Sequence, residues 1–211
     1  MSTSFAIFIY PGTEPIDLAT FGVLSMARRV DPQISVHTVS GQVGAVKLAS
    51  GLVVMADYDL ESWPGADVLI VTGGPGWKQQ CESKAVLMFL RRAAQKGPIA
   101  SVCTGAMILA AAGALAGKQA TTKRRVIPPE ESPLALLCSQ YPEIETVEAP
   151  VVDSGGTVTS GGVSYCIDGT LYLVRKFCGD RIADETARII EFDPELRSRH
   201  FASERAGAVG H

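Results

Sequence analysis

The sequence predicts an α/β fold with a mostly parallel central sheet. Continuous apolar runs of strand length alternate with longer stretches of helical spacing, and Gly- or Pro-rich turns follow the apolar runs. A third observation concerns size. A chain of 211 residues without a repeat, a low-complexity block or a linker fits one domain at ~100–200 residues per domain. We expect that domain over residues 1–193 and a polar tail over 194–211.

Residues 4–10 (SFAIFIY) read as a buried strand stopped by Pro11 and Gly12. Residues 14–30 carry Ile16, Ala19, Val23, Leu24 and Ala27 at helical spacing, with acids at the start and Arg28-Arg29 at the end, as the helix dipole favours. Residues 33–40 alternate as a second strand, and 43–55 suggest a hairpin around Ser50-Gly51. The run 67–72 (DVLIVT) has the continuous apolar character of a strand covered on both faces. It is followed by Gly73-Gly74-Pro75-Gly76 and a helix over 82–96. Residues 98–102 predict the next strand and 104–112 the next helix. The uncharged stretch 99–117 is close to the length of a membrane span, yet its Ala and Gly content and the break at Cys103-Thr104 favour a strand–helix unit. Beyond it we expect a helix at 134–140, a β pair from 146–152 and 157–159, and helices over 163–178 and 180–192.

The composition narrows the function. With 19 basic and 22 acidic residues and no basic block, nothing marks a nucleic-acid or membrane partner. Five widely spaced cysteines without C-x-x-C argue against a disulfide framework and a metal site. The N-terminus lacks a signal-peptide pattern, so a cytoplasmic location is expected.

In parallel sheets, working residues gather in the loops at the carboxyl ends of strands. That rule selects residues 11–17, 73–76 and 102–105. Cys103 ends an apolar strand and precedes a small-residue helix, the layout of a nucleophile elbow. A thiol at a helix N-terminus is favoured as thiolate, and a packed core thiol is the plainer alternative. Thr104 reads as a helix-start residue or as a hydroxyl beside the thiol. The amides of Thr104, Gly74, Gly76 and Gly105 are candidates for an oxyanion or substrate pocket, from which Pro75 is excluded for want of an N–H. The only histidines are His37, His200 and His211. None falls at a predicted strand–helix junction, so a Cys–His dyad is poorly supported. A carboxyl partner remains, Asp17 or Glu14, with Asp17 favoured by its apolar neighbours. Buried near a thiolate, it would have a raised pKa and act as general acid and base. Lys123-Arg124-Arg125 reads as a solvated basic cluster.

Four pieces carry a family resemblance: FIYPGTEPIDL at 8–18, VTGGPG at 71–76, SVCTGA at 101–106 and TSGGVS at 159–164. Together and in this order they resemble the ThiJ/PfpI superfamily. The resemblance implies a class I glutamine amidotransferase-like, flavodoxin-like three-layer sandwich. The chain is most similar to the isocyanide hydratase branch, whose aspartate falls on Asp17, nucleophile on Cys103 and following threonine on Thr104. It implies a homodimer acting on a small molecule without cofactor. Cys103 would attack an isocyanide to give a thioimidate, Asp17 would move protons, and water would release an N-substituted formamide. The alternative is a redox or small-molecule sensor with an oxidisable Cys103 and no turnover. Lys123-Arg124 replaces the His-Trp common in that branch, a change expected near the pocket.

Overall fold

The computed structural model describes residues 2–192; the tail expected at 194–211, with His200 and His211, lies outside the described residues. The first apolar run forms β1 (Thr3–Phe8), which leads through a 3-10 turn (Pro15–Leu18) into α1 (Ala19–Val30). Next come β2 (Ile34–Ser40), the hairpin of β3 (Gly44–Lys47) and β4 (Val53–Ala56), and the short β5 (Tyr58–Asp59). The centre of the fold is β6 (Val68–Val71), α2 (Trp77–Glu82), α3 (Lys84–Lys96), β7 (Ile99–Ser101) and α4 (Gly105–Ala111). The chain continues through β8 (Gln119–Ala120), α5 (Pro133–Gln140) and β9 (Glu145–Thr146). It then forms β10 (Val151–Ser154) and β11 (Thr157–Ser160), and the described part ends with α6 (Tyr165–Cys178) and α7 (Asp180–Ile189).

Seven strands form one sheet in the order β10-β11-β7-β6-β1-β2-β5. All are parallel to their neighbours except β10, which runs against β11. The register sets Val39, Phe8, Val71, Ser101 and Thr159 in one row across the sheet. Just beyond that row the chain leaves β1, β6, β7 and β11, so the four loops after these strands meet at a single edge.

Alternation along β1 explains the two cores. Ala6 and Phe8 face a cluster with Leu69, Phe89, Leu90 and Met107, under α3 and α4. Phe5 and Ile7 face the other cluster, with Leu24, Ile70, Leu173 and Val174, under α1 and α6. Each large apolar side chain removed from water in this way contributes roughly 1.5–3 kcal/mol. The result is a three-layer α/β sandwich with a mostly parallel sheet.

Several elements differ from their sequence-based outlines. The helix expected over 14–30 begins as the 3-10 turn, with Pro15 at its first position and Asp17 turned inward. The helix over 82–96 is α3 alone, preceded by α2. Ser83 separates the two in an extended conformation and accepts from the Val86 amide. The strand expected over 146–152 is divided: β9 pairs with β8, while β10 starts after Pro150, which has no N–H for a ladder. Among the described residues no helix is long and apolar enough to cross a membrane, and residues 99–117 fold as the expected strand–helix unit.

Candidate active site

Cys103 stands between β7 and α4 with φ 52, a left-handed conformation that costs a non-glycine residue of order 1–3 kcal/mol and persists only where neighbours impose it. Its N–H donates to Gly161 O at 3.2 Å. Its carbonyl accepts from Thr122 Oγ1 at 2.7 Å. Glycines allow the close approach that completes the elbow. A Cβ on Gly73 would lie 2.4 Å from the Thr104 nitrogen, and one on Gly105 would lie 2.1 Å from Val71 O. Gly74 (φ 134) is packed as tightly, with Gly12 O 2.3 Å from where its Cβ would be. The loops after β1, β6 and β7 are therefore keyed together at positions that exclude a side chain.

Asp17 is fully buried. Its Oδ2 accepts from the Gly73 amide at 2.7 Å, and Oδ1 has no hydrogen-bond partner. Burial is the main reason its pKa rises to about 7; the Glu14 charge adds to the rise, while the Gly73 amide and Lys123 oppose it. Glu14 is the half-buried acid lining the cavity, so of the two carboxylates only Asp17 is enclosed.

The Cys103 thiol departs from the helix-dipole expectation. It is 3% exposed, and burial followed by the Asp17 charge pushes it up to about 12. The Val163 and Thr104 amides donate to the sulfur and pull the other way, as does Lys123. Desolvation outweighs the short α4. Asp17 and Cys103 therefore carry one negative charge between them above about pH 7, held on Asp17, whose charge disfavours a second one on the sulfur.

The amides proposed from the sequence as oxyanion donors are already engaged. Gly74 N donates to Thr104 Oγ1 at 2.9 Å, Gly76 N to Gly12 O at 3.2 Å and Gly105 N to Val102 O at 2.9 Å. The Thr104 hydroxyl is bonded to Tyr10, whose Oη donates to Thr72 O at 3.1 Å. Thr104 thus ties the β6 and β7 loops to the Tyr10 ring, and its amide, rather than its hydroxyl, serves the sulfur. Sequence reasoning gave no role to Val163, a non-glycine residue with φ 59 that lies within the piece at 159–164. Lys123 lines the Cys103 cavity, near the pocket as the resemblance implied for that position, which corrects the solvated-cluster reading. Cys81 lies on α2 and donates to Met107 O. Cys166 is buried on α6. His37 lies in β2, where its Nε2 accepts from Trp63 Nε1 at 2.9 Å.

Above the sulfur opens a cavity of about 570 Å3, walled by apolar groups such as Ile16, Trp77, Leu136 and Val163 and by the charged Lys78 and Glu131. Among the described residues no cluster of three or more metal-binding side chains occurs.

Comparison with known proteins agrees with this architecture. The isonitrile hydratase of Pseudomonas putida is 31% identical over 196 residues, covering 92% of this chain and 80% of that protein. A ThiJ/PfpI family protein from Pseudomonas syringae superposes with a TM-score of 0.79 at 24% identity, covering 92% of this chain and 76% of that one. Drosophila melanogaster DJ-1beta superposes with a TM-score of 0.75 at 24% identity, covering 90% and 98% of the respective chains. Residues 4–176 match the DJ-1/PfpI family, and the chain belongs to that family.

Proposed function

We propose that the chain is a cysteine-dependent hydratase that converts an isocyanide and water to an N-substituted formamide. The observation that carries this reading is the enclosed Asp17, with a pKa of about 7, electrostatically coupled to Cys103 at the floor of a cavity. The Cys103 proton passes to Asp17 as the sulfur attacks the terminal isocyanide carbon. Asp17 then gives that proton to the same carbon, leaving a thioimidate on Cys103. Asp17, again a carboxylate, takes a proton from water as the water oxygen adds to the thioimidate carbon. Asp17 passes that proton to the nitrogen, and as the C–S bond breaks the hydroxyl oxygen becomes the formamide carbonyl, its proton returning through Asp17 to the Cys103 sulfur as the formamide leaves. The Val163 and Thr104 amides hold charge on sulfur in the first and last steps. Such proton transfer by a positioned group contributes typically 10²–10⁴-fold. The similarity to isonitrile hydratase supports the substrate class.

A sensor reading draws on the same two amides, which would also hold the oxygens of an oxidised sulfur. The buried, high-pKa thiol weighs against it, since oxidation follows thiolate character and exposure. The exposed Val53 and Met55 of the hairpin offer an apolar surface for a second copy, which supports a homodimer. The test is a panel of alkyl and aryl isocyanides with formamide detected by mass spectrometry. Turnover is expected in the native protein and absent from Cys103→Ala. Formamide production by Cys103→Ala, or none by the native protein together with stable Cys103 oxidation under mild peroxide, would overturn the reading.

A further inference from the structure

A second hollow, of about 510 Å3, lies beside the Cys103 cavity and shares Lys123 and Val163 with it. The hollow is otherwise lined by Arg124, Arg125, Gly162 and the start of α6, and among the described residues no carboxylate lines it. The Lys123 stem lies against Gly162, where a Cβ would sit 2.6 Å from Lys123 Cγ, so the lysine marks the boundary between the two spaces. Its charge is felt by both Cys103 and Asp17.

We propose that the Cys103 cavity takes substrates bearing an anionic oxyacid group, carboxylate or phosphate, which extends past Lys123 into this hollow and rests on Lys123 and Arg125. The partners of the three cations select those two. Arg124 is paired with Glu148. Among the described residues Lys123 has only the exposed Glu130, 3.8 Å away, and Arg125 has no ion pair. The first amides of α6 play no part, since Tyr165, Cys166 and Ile167 donate to Gly162, Val163 and Ser164; the positive charge is that of the side chains. Lys123 is thus a cation on the wall of the Cys103 cavity and Arg125 a second one in the adjoining hollow, which favours an anionic ligand across the two.

This inference rests on Cys103 being the reacting group, and its test reads alkylation rather than turnover, so it stands or falls separately from isocyanide hydration. The probes are N-ethylmaleimide and 3-maleimidopropionate, with rates at Cys103 followed by peptide mass spectrometry. The ratio of acid to neutral rate cancels any change in thiolate content. Lys123→Gln combined with Arg125→Gln should lower the ratio about tenfold, the size expected of two partly exposed ion pairs. Arg188→Gln removes an equal charge on α7 and should leave it unchanged. If the double variant fails to fold, Arg125→Gln alone, at an exposed site, should lower the ratio about threefold. At constant ionic strength acetate or inorganic phosphate should slow the acid probe, and the stronger competitor identifies the anion. An unchanged ratio in the variants, an equal fall in Arg188→Gln, or no competition from either anion overturns the inference.

Discussion

Asp17→Asn should make the protein more stable at pH 8 while disabling it. The buried carboxyl has an ordinary value of 3.8 and a folded value of about 7. The folded state therefore binds the proton more tightly, and stability is greatest at low pH. It falls as the pH rises from about 4 to 7 and stays low above that. At about 1.36 kcal/mol per pH unit, the ionised carboxylate costs about 4 kcal/mol at pH 8. Asparagine keeps an oxygen for the Gly73 amide and carries no charge. Its NH2 group, however, occupies the place of the unpartnered Oδ1, and an unpaired buried donor costs about 1–3 kcal/mol. The net expectation at pH 8 is a gain of about 2 kcal/mol, or a Tm higher by about 4–8 °C for a domain of this length. The gain should disappear toward pH 4, where the folded carboxyl is protonated and the unfolded one, with its ordinary value of 3.8, is becoming so. Urea titrations of both proteins at pH 8 and pH 4.5, with formamide assays in parallel, measure each part. A variant less stable than native at pH 8, or a stability gap independent of pH, would refute the reasoning.

Three further outcomes follow from the same structure. Alkylation of Cys103 by iodoacetamide should rise as the pH passes about 7, where Asp17 becomes able to accept the thiol proton, and again only toward about 12. Asp17→Asn should lack the lower rise, and a single rise near the free-thiol value of about 8.5, mapped peptide by peptide against exposed Cys138, contradicts the coupled pair. Gly105→Ala, whose Cβ would meet Val71 O at 2.1 Å, should lose about 3 kcal/mol or more in denaturant titration. Gly22→Ala on α1, with nothing within 4 Å, should instead gain about 0.5–1 kcal/mol.

The contrast between what was legible in the sequence and what was not follows the range of the interactions involved. The elbow at Cys103 is a local pattern: an apolar strand, a turn and a small-residue helix follow one another directly. Asp17 was legible because its apolar neighbours signalled burial. The direction of the Cys103 pKa was not, since a dipole argument concerns one helix whereas desolvation depends on all the layers around the sulfur. The Val163 amide and the Lys123 charge arrive from loops 60 and 20 residues away in sequence, and their approach is set by the packing of Gly161 and Gly162. The engagement of the Gly74, Gly76 and Gly105 amides likewise depends on which loops meet. The two-residue strands β5 and β8 are too short to leave a periodic signal.

The keyed glycines also divide the site into parts with different freedom to change. Residues 12, 73, 74, 76 and 105 fit backbone against backbone, so a change in one of these loops displaces the others and the sulfur with them. The outer wall of the cavity, from Val126 to Leu136, takes no part in that interlock. The part of the cavity wall from Val126 to Leu136 is thus carried by a stretch of chain separate from the loops that hold Cys103, and it can be remodelled without moving them. Variants with new substrate ranges should accordingly be sought at Val126, Glu131 and Leu136, leaving the floor beneath them intact.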